Sequence, residues 1–518
     1  MNSKSNLEVL VISINNIWRY PNTGVDQIVG YLRKDGFSVD IKYYHKKENY
    51  EQIINDLDLD YDVIAFSVHS ANYKKCCDIS LYIKETKSNV KIVWGGYFVT
   101  MHYMEMINER RCADYFVLGD GEIPLSHLLN SLVNNENNFS HHSIATYSDR
   151  ENKYPYQNKL INTIPAFDYY INDTLKRNMR KVYCLQTKNN VCTGKCSFCT
   201  ERKGKVVHKD ISLIVDEIKY VVENFGIRQI FFTDDNIMDP NNDVTKEYVR
   251  KLCLEIKKLN LNISIECYIK AISFNDNEAD NNLLKLMSEV GFATMFVGIE
   301  SGNQYDLKIY NKFTTVNDNK NIVRLLRKHK IEPIIGFINF NPFSTIDSLR
   351  ENYKFLIDIK NANLFQYAGT FISLQKYTEM FEMVYDEGLL CEEYSYLNNM
   401  KYRYKNKEVQ EIADFVYSEL RPRIVNLDME IDNLLQTYSL ASKVSSEAKN
   451  FRDEIDKIKE DYLERIKSYF YILYELNDLK RCKIESNEFL SYFENGQIRL
   501  MEIYKELVGL INKSKIYK

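Results

Sequence analysis

Apolar runs of seven or eight residues recur at regular intervals through the first 120 residues, at 7–14, 37–44, 62–68, 90–96 and 114–121. Between the first two runs, apolar residues follow the i, i+3, i+4, i+7 spacing of a helix, at Val25, Ile28, Val29 and Leu32. A strand–helix–strand order predicts a parallel sheet, and strands that are apolar almost throughout are typical of a sheet covered by helices on both faces. The pattern predicts a doubly wound α/β domain over residues 1–150.

Ligands of such Rossmann-like domains bind at the carboxyl ends of the strands. Here those ends carry Ser67 and His69 after the third run, and the pair Gly95 and Gly96 after the fourth. These residues are therefore candidates for a ligand site. Taken one at a time, each is better interpreted as an ordinary turn residue, and His69 as a polar residue of a loop.

Residues 151–180 lack this period, contain prolines and many polar residues, and are predicted to form a linker. The alternation of strand and helix patterns then restarts and continues to residue 390. Five strand–helix units followed by a sixth strand predict a partial or full βα barrel, with functional groups on the loops after the strands. The six strands are predicted at 181–187, 228–234, 262–268, 293–300, 332–340 and 364–372.

Residues 391–518 show no strand alternation, and their charged and tyrosine residues follow a helical period. This segment predicts an all-helical C-terminal domain, whose charges form the solvated face of amphipathic helices. The whole chain is therefore predicted to be an α/β protein with three domains and one linker.

Composition limits the classes of function. The chain has 68 Lys and Arg against 72 Asp and Glu, a formal net charge of -4, so it has no global basic field and no nucleic-acid partner is expected. No apolar stretch approaches the roughly 20 residues of a membrane span, and the N-terminal segment MNSKSNLEVLVISI lacks the features of a secretory leader. A cytoplasmic protein without a membrane span is expected.

The eleven cysteines are an odd number, which argues against a pure disulfide framework. Three of them, Cys192, Cys196 and Cys199, lie in VCTGKCSFCT directly after the first barrel strand. Soft thiolates at this C-x3-C-x2-C spacing bind zinc or an iron–sulfur cluster, and no second pair completes a four-ligand zinc site. The alternative is three unrelated buried thiols. The other eight cysteines, Cys77 and Cys112 among them, are interpreted as packing residues.

This segment resembles the cluster motif of radical S-adenosylmethionine (SAM) enzymes. In that family the same spacing follows the first strand of a βα barrel, and an aromatic residue often precedes the third cysteine, as Phe198 does here. The resemblance implies that Cys192, Cys196 and Cys199 bind a [4Fe-4S] cluster whose open iron chelates SAM. It also implies reductive cleavage of SAM to a 5'-deoxyadenosyl radical, with a one-electron donor such as flavodoxin or ferredoxin.

Two further segments resemble the SAM-binding strands of that family. Asp234 and Asp235 in FFTDDNIMDP match the position that receives the SAM ammonium, although such a sequence is also a common helix-capping turn. Lys270 in IECYIKA stands where the family commonly has arginine. The resemblance therefore implies a salt bridge to the SAM carboxylate without the bidentate fork of a guanidinium.

The later barrel strands carry the same resemblance. Glu300 and Ser301 in VGIESG match residues that bond the ribose or methionyl group of SAM. Ile338 lies in a segment that resembles the adenine-contacting fifth strand, but the usual G-x-P-x-E-T ending is replaced by Phe340, Asn341 and Pro342.

The N-terminal domain resembles the cobalamin-binding domain of one branch of radical SAM enzymes. The resemblance is carried by VWGGYFVT at 93–100 and ADYFVLGDGEIPLSHLL at 113–129. It implies that Gly95 and Gly96 allow the backbone to approach cobalamin closely, with Ser67 and His69 beside them. Residues 13–24 contain no histidine, so the D-x-H-x-x-G motif is absent and the cobalt would have no protein imidazole ligand.

The leading expectation is a cobalamin-dependent radical SAM enzyme that methylates an unactivated carbon of a small-molecule or peptide substrate. The alternative is a radical SAM maturase that forms a ring or a C–C or C–S bond and whose N-terminal domain does not bind cobalamin. A third hypothesis is a scaffold protein in which the cluster is only structural. The matches to SAM-contacting positions at Asp234, Asp235 and Glu300 argue against it, because a scaffold would not need them.

Overall fold

The structure is a computed structural model. It describes residues 7–513 except for 16–21, 110, 137–139, 150–154, 156–164, 169–181, 190, 201–204, 239–242, 361–363, 394, 397–399, 423–433, 435–436, 439–440 and 442–444. Most of the predicted linker at 151–180 lies outside these described residues.

The N-terminal domain is built on a sheet with the strand order β2-β1-β3-β4-β5-β6, in which only the last pair is antiparallel. The strands are β1 Glu8–Asn15, β2 Ser38–His45, β3 Val63–Ser67, β4 Lys91–Gly95, β5 Tyr115–Val117 and β6 Ile144–Ala145. The helices are α1 Thr23–Lys34, α2 Tyr50–Asp56, α3 Tyr73–Thr86, α4 Tyr97–Asn108 and α5 Glu122–Val133.

Both faces of this sheet are buried, as the continuous apolar runs predict. In β1, Val9 and Val11 belong to one hydrophobic core, and Leu10 and Ile12 belong to the core on the opposite face. Alternate side chains of a strand point to opposite faces, so a strand between two helix layers must be apolar at every position. The prediction of a doubly wound domain is confirmed.

The second sheet is parallel and has the strand order β11-β10-β9-β8-β7 within the described part of the chain. Its strands are β7 Val182–Leu185, β8 Gln229–Phe232, β9 Ser264–Lys270, β10 Phe292–Glu300 and β11 Glu332–Phe337. The five predicted helices are present as α6 Ile211–Phe225, α7 Asp243–Lys258, α8 Glu278–Glu289, α10 Val316–Lys328 and α11 Ile346–Asp358; a short helix, α9 Gln304–Ile309, follows β10.

The prediction of a sixth strand at 364–372 is wrong. Leu364–Ala368 forms a short helix, α12. In this segment only Phe371 makes a β-type pairing, an isolated parallel bridge to Phe340. The Thr370 hydroxyl donates to the carbonyl of Tyr367 over 2.8 Å, which satisfies the end of this helical turn locally. The barrel is therefore partial, with its open edge at β11 in the described residues.

The C-terminal segment is helical. Its elements are α13 Glu379–Asp386, α14 Lys407–Phe415, a π-helical turn at Val416–Leu420, a 3-10 turn at Glu447–Phe451, α15 Arg452–Phe470, a second π-helical turn at Tyr471–Glu475 and α16 Leu479–Lys513. The elements from α14 to α16 share one continuous hydrophobic core with the barrel, whereas α13 packs in a separate small cluster with Tyr310. Tyr474, which is 1% exposed, donates its hydroxyl to the carbonyl of Ala368 over 2.9 Å, so the helices cover the β11 side of the barrel.

Cys77 and Cys112 form a disulfide, with Cα atoms 5.3 Å apart. Their interpretation as packing thiols is wrong. Cys77 lies on the buried face of α3 and Cys112 lies just before β5, so the two meet in the core on that face of the sheet although 35 residues separate them. No sequence spacing signals such a pair. In the residues that the structure describes, no helix is long and apolar enough to cross a membrane.

Candidate functional site

The cysteine motif lies on a loop between β7 and α6 whose base is closed by backbone hydrogen bonds. Asn189 N–H donates to the Val207 carbonyl over 2.9 Å, and Lys209 N–H donates to the Thr187 carbonyl over 2.8 Å. We call residues 190–206 the cluster loop. Its base is therefore a short antiparallel pairing directly above the carboxyl end of β7.

Two of the three thiols face a common space above Gly194. A Cβ atom on Gly194 would lie 3.4 Å from the Cys192 Sγ and 3.8 Å from the Cys196 Sγ. The Gly194 N–H donates to the Cys192 Sγ over 3.3 Å, and all three cysteines are partly exposed. Because glycine leaves this space open beside the sulfur atoms, the residues present fit an iron–sulfur cluster, in which each thiolate binds a different iron. Among the described side chains, no group of three or more His, Cys, Asp or Glu residues has the geometry for a single metal ion.

The cluster loop is held by the end of α9. Ser197 donates its N–H to the Tyr310 carbonyl over 3.0 Å and its hydroxyl to the Ile309 carbonyl over 2.7 Å. The Phe198 ring meets the Tyr310 ring edge to face, with centroids 5.5 Å apart. Phe198 is therefore a packing anchor of the cluster loop, a role that sequence reasoning, which placed it at the cofactor, did not identify.

Lys270 ends β9 and reaches the cluster loop. Its ammonium donates to the Thr193 hydroxyl, and its Cε lies 3.8 Å from the position of a Cβ on Gly194. The structure thus brings Lys270 to the same space as Cys192 and Cys196. A cation there is placed to attract a carboxylate that binds next to the cysteines.

The two adjacent aspartates have different environments. Asp234 is 3% exposed and accepts hydrogen bonds from Thr187 N–H, the Thr187 hydroxyl and Lys188 N–H, over 2.6 to 3.1 Å. Burial raises the pKa of Asp234 despite these bonds. Asp235 is exposed and lines a cavity. Asp234 therefore stabilises the end of β7, whereas Asp235 is available to a ligand.

Glu300 and Ser301, although adjacent in sequence, also lie in different environments. Glu300 has a φ of 65° and lies where the register between β10 and β11 shifts, a bulge that redirects its side chain. The Lys312 ammonium lies 3.4 Å from its carboxylate. Ser301 is fully buried, and its hydroxyl donates to Asn352 Oδ1 over 2.7 Å. Ser301 does not line any of the three cavities described below.

Ile338 follows β11 and is partly buried. Its N–H donates to the Glu300 carbonyl over 2.8 Å, and its side chain packs against a small hydrophobic cluster that includes Tyr310. Ile338 therefore lies beside Glu300, on the side of the barrel that also holds the cluster loop through Tyr310.

A cavity of about 390 Å³ joins the N-terminal domain to the barrel. Its lining includes Ser67, His69, Gly95 and Gly96 from the first sheet, and Gln186, Thr233 and Asp235 from the second. Gly96 has a φ of 108°, and a Cβ there would lie 3.0 Å from the Val68 carbonyl oxygen. Only glycine leaves this turn unstrained and its surface open, which fits the close approach of a large ligand to the backbone.

The polar groups of this cavity are linked to one another. Asn22 donates its amide to the Ser67 hydroxyl over 3.0 Å, and the His69 Nε2 lies 3.4 Å from the same hydroxyl. Burial lowers the pKa of His69, so its ring is neutral at pH 7. Sequence reasoning missed Asn22; the signal available was its position directly before the first helix, where asparagine is a common cap.

A second cavity of about 430 Å³ shares His69 and Tyr97 with the first. Its lining includes His102 from α4, Thr200 from the cluster loop, and Lys376 and Tyr396 from the C-terminal third of the chain. Lys376 forms an ion pair with Glu105 over 3.2 Å. Sequence reasoning did not identify this cavity, because its walls come from segments far apart in the chain.

Comparison with known proteins agrees with this geometry. The family model of the radical SAM superfamily matches residues 188–356, and the model of the B12 binding domain matches residues 8–129. The chain is 25% identical to an anaerobic magnesium-protoporphyrin IX monomethyl ester cyclase of Synechocystis sp., over 52% of this chain and 54% of that protein. It is 23% identical to an uncharacterized methyltransferase of Pyrococcus horikoshii, over 57% and 64%. The chain therefore spans between about half and two thirds of the length of these curated relatives.

Solved structures show the same fold. The cobalamin-dependent SAM radical enzyme OxsB, with aqua-cobalamin and SAM bound, matches with a TM-score of 0.72 and 17% identity over 99% of this chain and 82% of that one. The radical SAM methyltransferase TsrM from Kitasatospora setae matches with a TM-score of 0.56 and 16% identity, over 73% and 76%. The predictions of a radical SAM barrel and of a cobalamin-type domain ahead of it are confirmed. The chain therefore carries a B12 binding domain at residues 8–129, followed by a radical SAM domain at residues 188–356.

Proposed function

We propose that the protein is a cobalamin-dependent radical SAM enzyme that methylates an unactivated carbon of a small-molecule or peptide substrate. The observation that carries this proposal is the cavity of about 390 Å³, because it runs from Gly95 and Gly96 at the end of β4 to Asp235 at the end of β8. One space would therefore connect the proposed cobalamin site to the proposed SAM site. When bound, the cluster and SAM supply one-electron radical chemistry, and cobalamin supplies a transferable methyl group.

The residues at the SAM side have complementary charges. Cys192, Cys196 and Cys199 would hold the cluster, and the exposed Asp235 carboxylate would accept the SAM ammonium. The Lys270 ammonium, beside Gly194, would donate to the SAM carboxylate. A carboxylate for the ammonium and an ammonium for the carboxylate would together fix the direction in which the amino-acid group of SAM binds.

The second cavity is the proposed substrate entrance. It borders the first cavity at Tyr97 and His69 and reaches Thr200, next to Cys199. Its walls combine aromatic and hydrogen-bonding groups, which suits a substrate with both apolar and polar surface. An electron donor such as flavodoxin or ferredoxin remains part of the proposal, and a cytoplasmic location and the absence of a nucleic-acid partner stay predictions from composition.

A second candidate function is ring formation without methyl transfer. It is favoured by the similarity to an anaerobic magnesium-protoporphyrin IX monomethyl ester cyclase. In that case the N-terminal domain would bind substrate or a partner. Gly96 would then be required only for the conformation of the turn and not for cobalamin binding.

One experiment separates these candidates. The protein is purified without oxygen in the presence of hydroxocobalamin and reconstituted with iron and sulfide. We expect about four irons and about one corrinoid per chain. The Cys192→Ala, Cys196→Ala, Cys199→Ala variant should lose the iron and keep the corrinoid. Retention of iron by that variant would refute the cluster site, and a wild-type protein that holds iron but no corrinoid would favour the second candidate.

A further inference from the structure

Lys188 is a buried lysine at the base of the cluster loop, outside the cofactor positions described above. The residue is 3% exposed, and its ammonium donates to the carbonyl of Val191 over 2.6 Å. Val191, which is 2% exposed, is joined by a peptide bond to Cys192. The ammonium therefore holds the backbone one residue before the first cysteine.

The ammonium borders a very small cavity at the base of the cluster loop. A cavity of about 10 Å³ is lined by Lys188 and by both neighbours of Cys192, Val191 and Thr193. Two further lining residues have buried polar atoms without a hydrogen-bond partner. These atoms are both ring nitrogens of His208 and Oδ1 of Asn236. The space is large enough for about one water molecule.

The charges around this cavity can be assigned. Burial and, to a smaller extent, the neighbouring Lys188 ammonium together lower the pKa of His208 to about 4, so the imidazole is neutral at pH 7. The carboxylate near Lys188 is Asp234, which faces the backbone N–H groups of Thr187 and Lys188 at the end of β7. The ammonium reaches toward Val191, on the Cys192 side, and the carboxylate lies on the strand side. The positive charge is therefore bound to the residue before Cys192, whereas the carboxylate is bound to the residues that follow β7.

We infer that Lys188 is a positioning residue for the iron–sulfur cluster and that its buried positive charge raises the reduction potential of the cluster. The inference rests on the proposed function, because it requires a [4Fe-4S] cluster at Cys192, Cys196 and Cys199. Reduction adds one electron to the cluster, and a nearby cation stabilises the more negative state. Salt screens a buried charge much less than an exposed one, so the effect persists at physiological ionic strength.

The test compares three variants of the full chain. Lys188→Met removes the charge and keeps an unbranched side chain, whereas Lys188→Arg keeps the charge. Lys195→Met is the matched control, because Lys195 lies between Cys192 and Cys196 but is exposed. Iron and sulfide are counted first, and the cluster is then titrated with dithionite. Each dithionite ion is oxidised to two sulfite ions and reduces two clusters by one electron each. The reduced fraction is followed by electron paramagnetic resonance.

In Lys188→Met, the ratio of reduced to oxidised cluster at a fixed potential should fall about tenfold, a shift of the midpoint by about 59 mV to lower potential. Lys188→Arg and Lys195→Met should stay within about twofold of the wild type. Loss of the cluster from the Met variant but not from the Arg variant would also support the holding role.

Three outcomes would overturn the inference. They are a Met variant that holds the full cluster at an unchanged potential, an Arg variant that shifts as far as the Met variant, and loss of the cluster from both. A wild-type protein without about four irons would instead refute the proposed function, before any potential is measured.

Discussion

The hydroxyl group of Tyr97, at the start of α4, hydrogen bonds to the hydroxyl group of Thr200, the residue after Cys199. This contact joins the B12 binding domain directly to the cluster loop. Tyr97 also follows Gly96 and lines both cavities, so one side chain borders the proposed cobalamin site, the cluster loop and the proposed substrate entrance. The placement of the N-terminal domain and the order of the cluster loop are therefore coupled.

Replacing Tyr97 by phenylalanine should loosen the cluster loop without removing either cofactor site. The variant loses one hydrogen bond, worth about 1 kcal/mol, and keeps the ring. We expect iron to be lost to a chelator several times faster, with unchanged corrinoid content. Tyr504→Phe, at an exposed tyrosine of α16, is the control and should lose iron at the wild-type rate. Equal rates in all three proteins would show that the contact does not order the loop.

Asp235→Asn should weaken SAM binding without changing stability, whereas Asp234→Asn should lower stability. The first removes the exposed carboxylate proposed to accept the SAM ammonium, and a charge-assisted hydrogen bond of about 1.5 to 3 kcal/mol corresponds to at least a tenfold weaker SAM affinity. The second disturbs the acceptor of three hydrogen bonds from Thr187 and Lys188 and should lower the free energy of unfolding by about 1 to 3 kcal/mol.

The two measurements are SAM binding at equilibrium and thermal unfolding. Asp235→Asn should unfold at the wild-type temperature, because its carboxylate is exposed. If Asp235→Asn binds SAM with wild-type affinity, the ammonium is held elsewhere.

Gly96→Ala should reduce corrinoid retention. Its φ of 108° is unfavourable for alanine, and the added Cβ would lie 3.0 Å from the Val68 carbonyl oxygen, so the turn must move. Gly388→Ala is the matched control, because Gly388 also has a positive φ, 64°, but open space for a Cβ. The control should lose about 1 kcal/mol of stability and keep its corrinoid, as read from the visible spectrum. Full retention by Gly96→Ala would remove this turn from the cobalamin site.

The sequence predicted those parts of the protein that depend on local pattern. Continuous apolar runs placed β1, β3 and β4, and the cysteine spacing placed the cluster loop, because short-range periodicity and ligand spacing are written in neighbouring residues. The segment 364–372 has an apolar composition that suits a strand or a buried helix, and packing against the C-terminal helices decides between them. The burial of Ser301 and the disulfide of Cys77 with Cys112 depend on elements that meet only in three dimensions.

The stability of the N-terminal domain should depend on the protonation of Asp26. This carboxyl group lies in α1, is 3% exposed, and accepts a hydrogen bond from the Tyr43 hydroxyl. Burial raises the pKa of Asp26 from 3.8 to about 8, more than the Tyr43 hydrogen bond lowers it. Between these two values the native state keeps a proton that the unfolded chain has released. Stability must therefore fall as the pH rises through this window, by about 1.4 kcal/mol per pH unit from this group.

Asp26→Asn should remove this dependence, because asparagine can accept the Tyr43 hydrogen bond and carries no charge. The variant should be more stable than the wild type at pH 7, and the difference should shrink as the pH falls toward 4. Urea unfolding at a series of pH values measures it, and tryptophan fluorescence reports on this domain because both tryptophans of the chain, Trp18 and Trp94, lie in its sequence. Asp386→Asn, at an exposed aspartate, should follow the wild-type curve. A wild-type protein that gains stability relative to Asp26→Asn as the pH rises would show that Asp26 is ionised in the folded domain, with a partner that stabilises its charge.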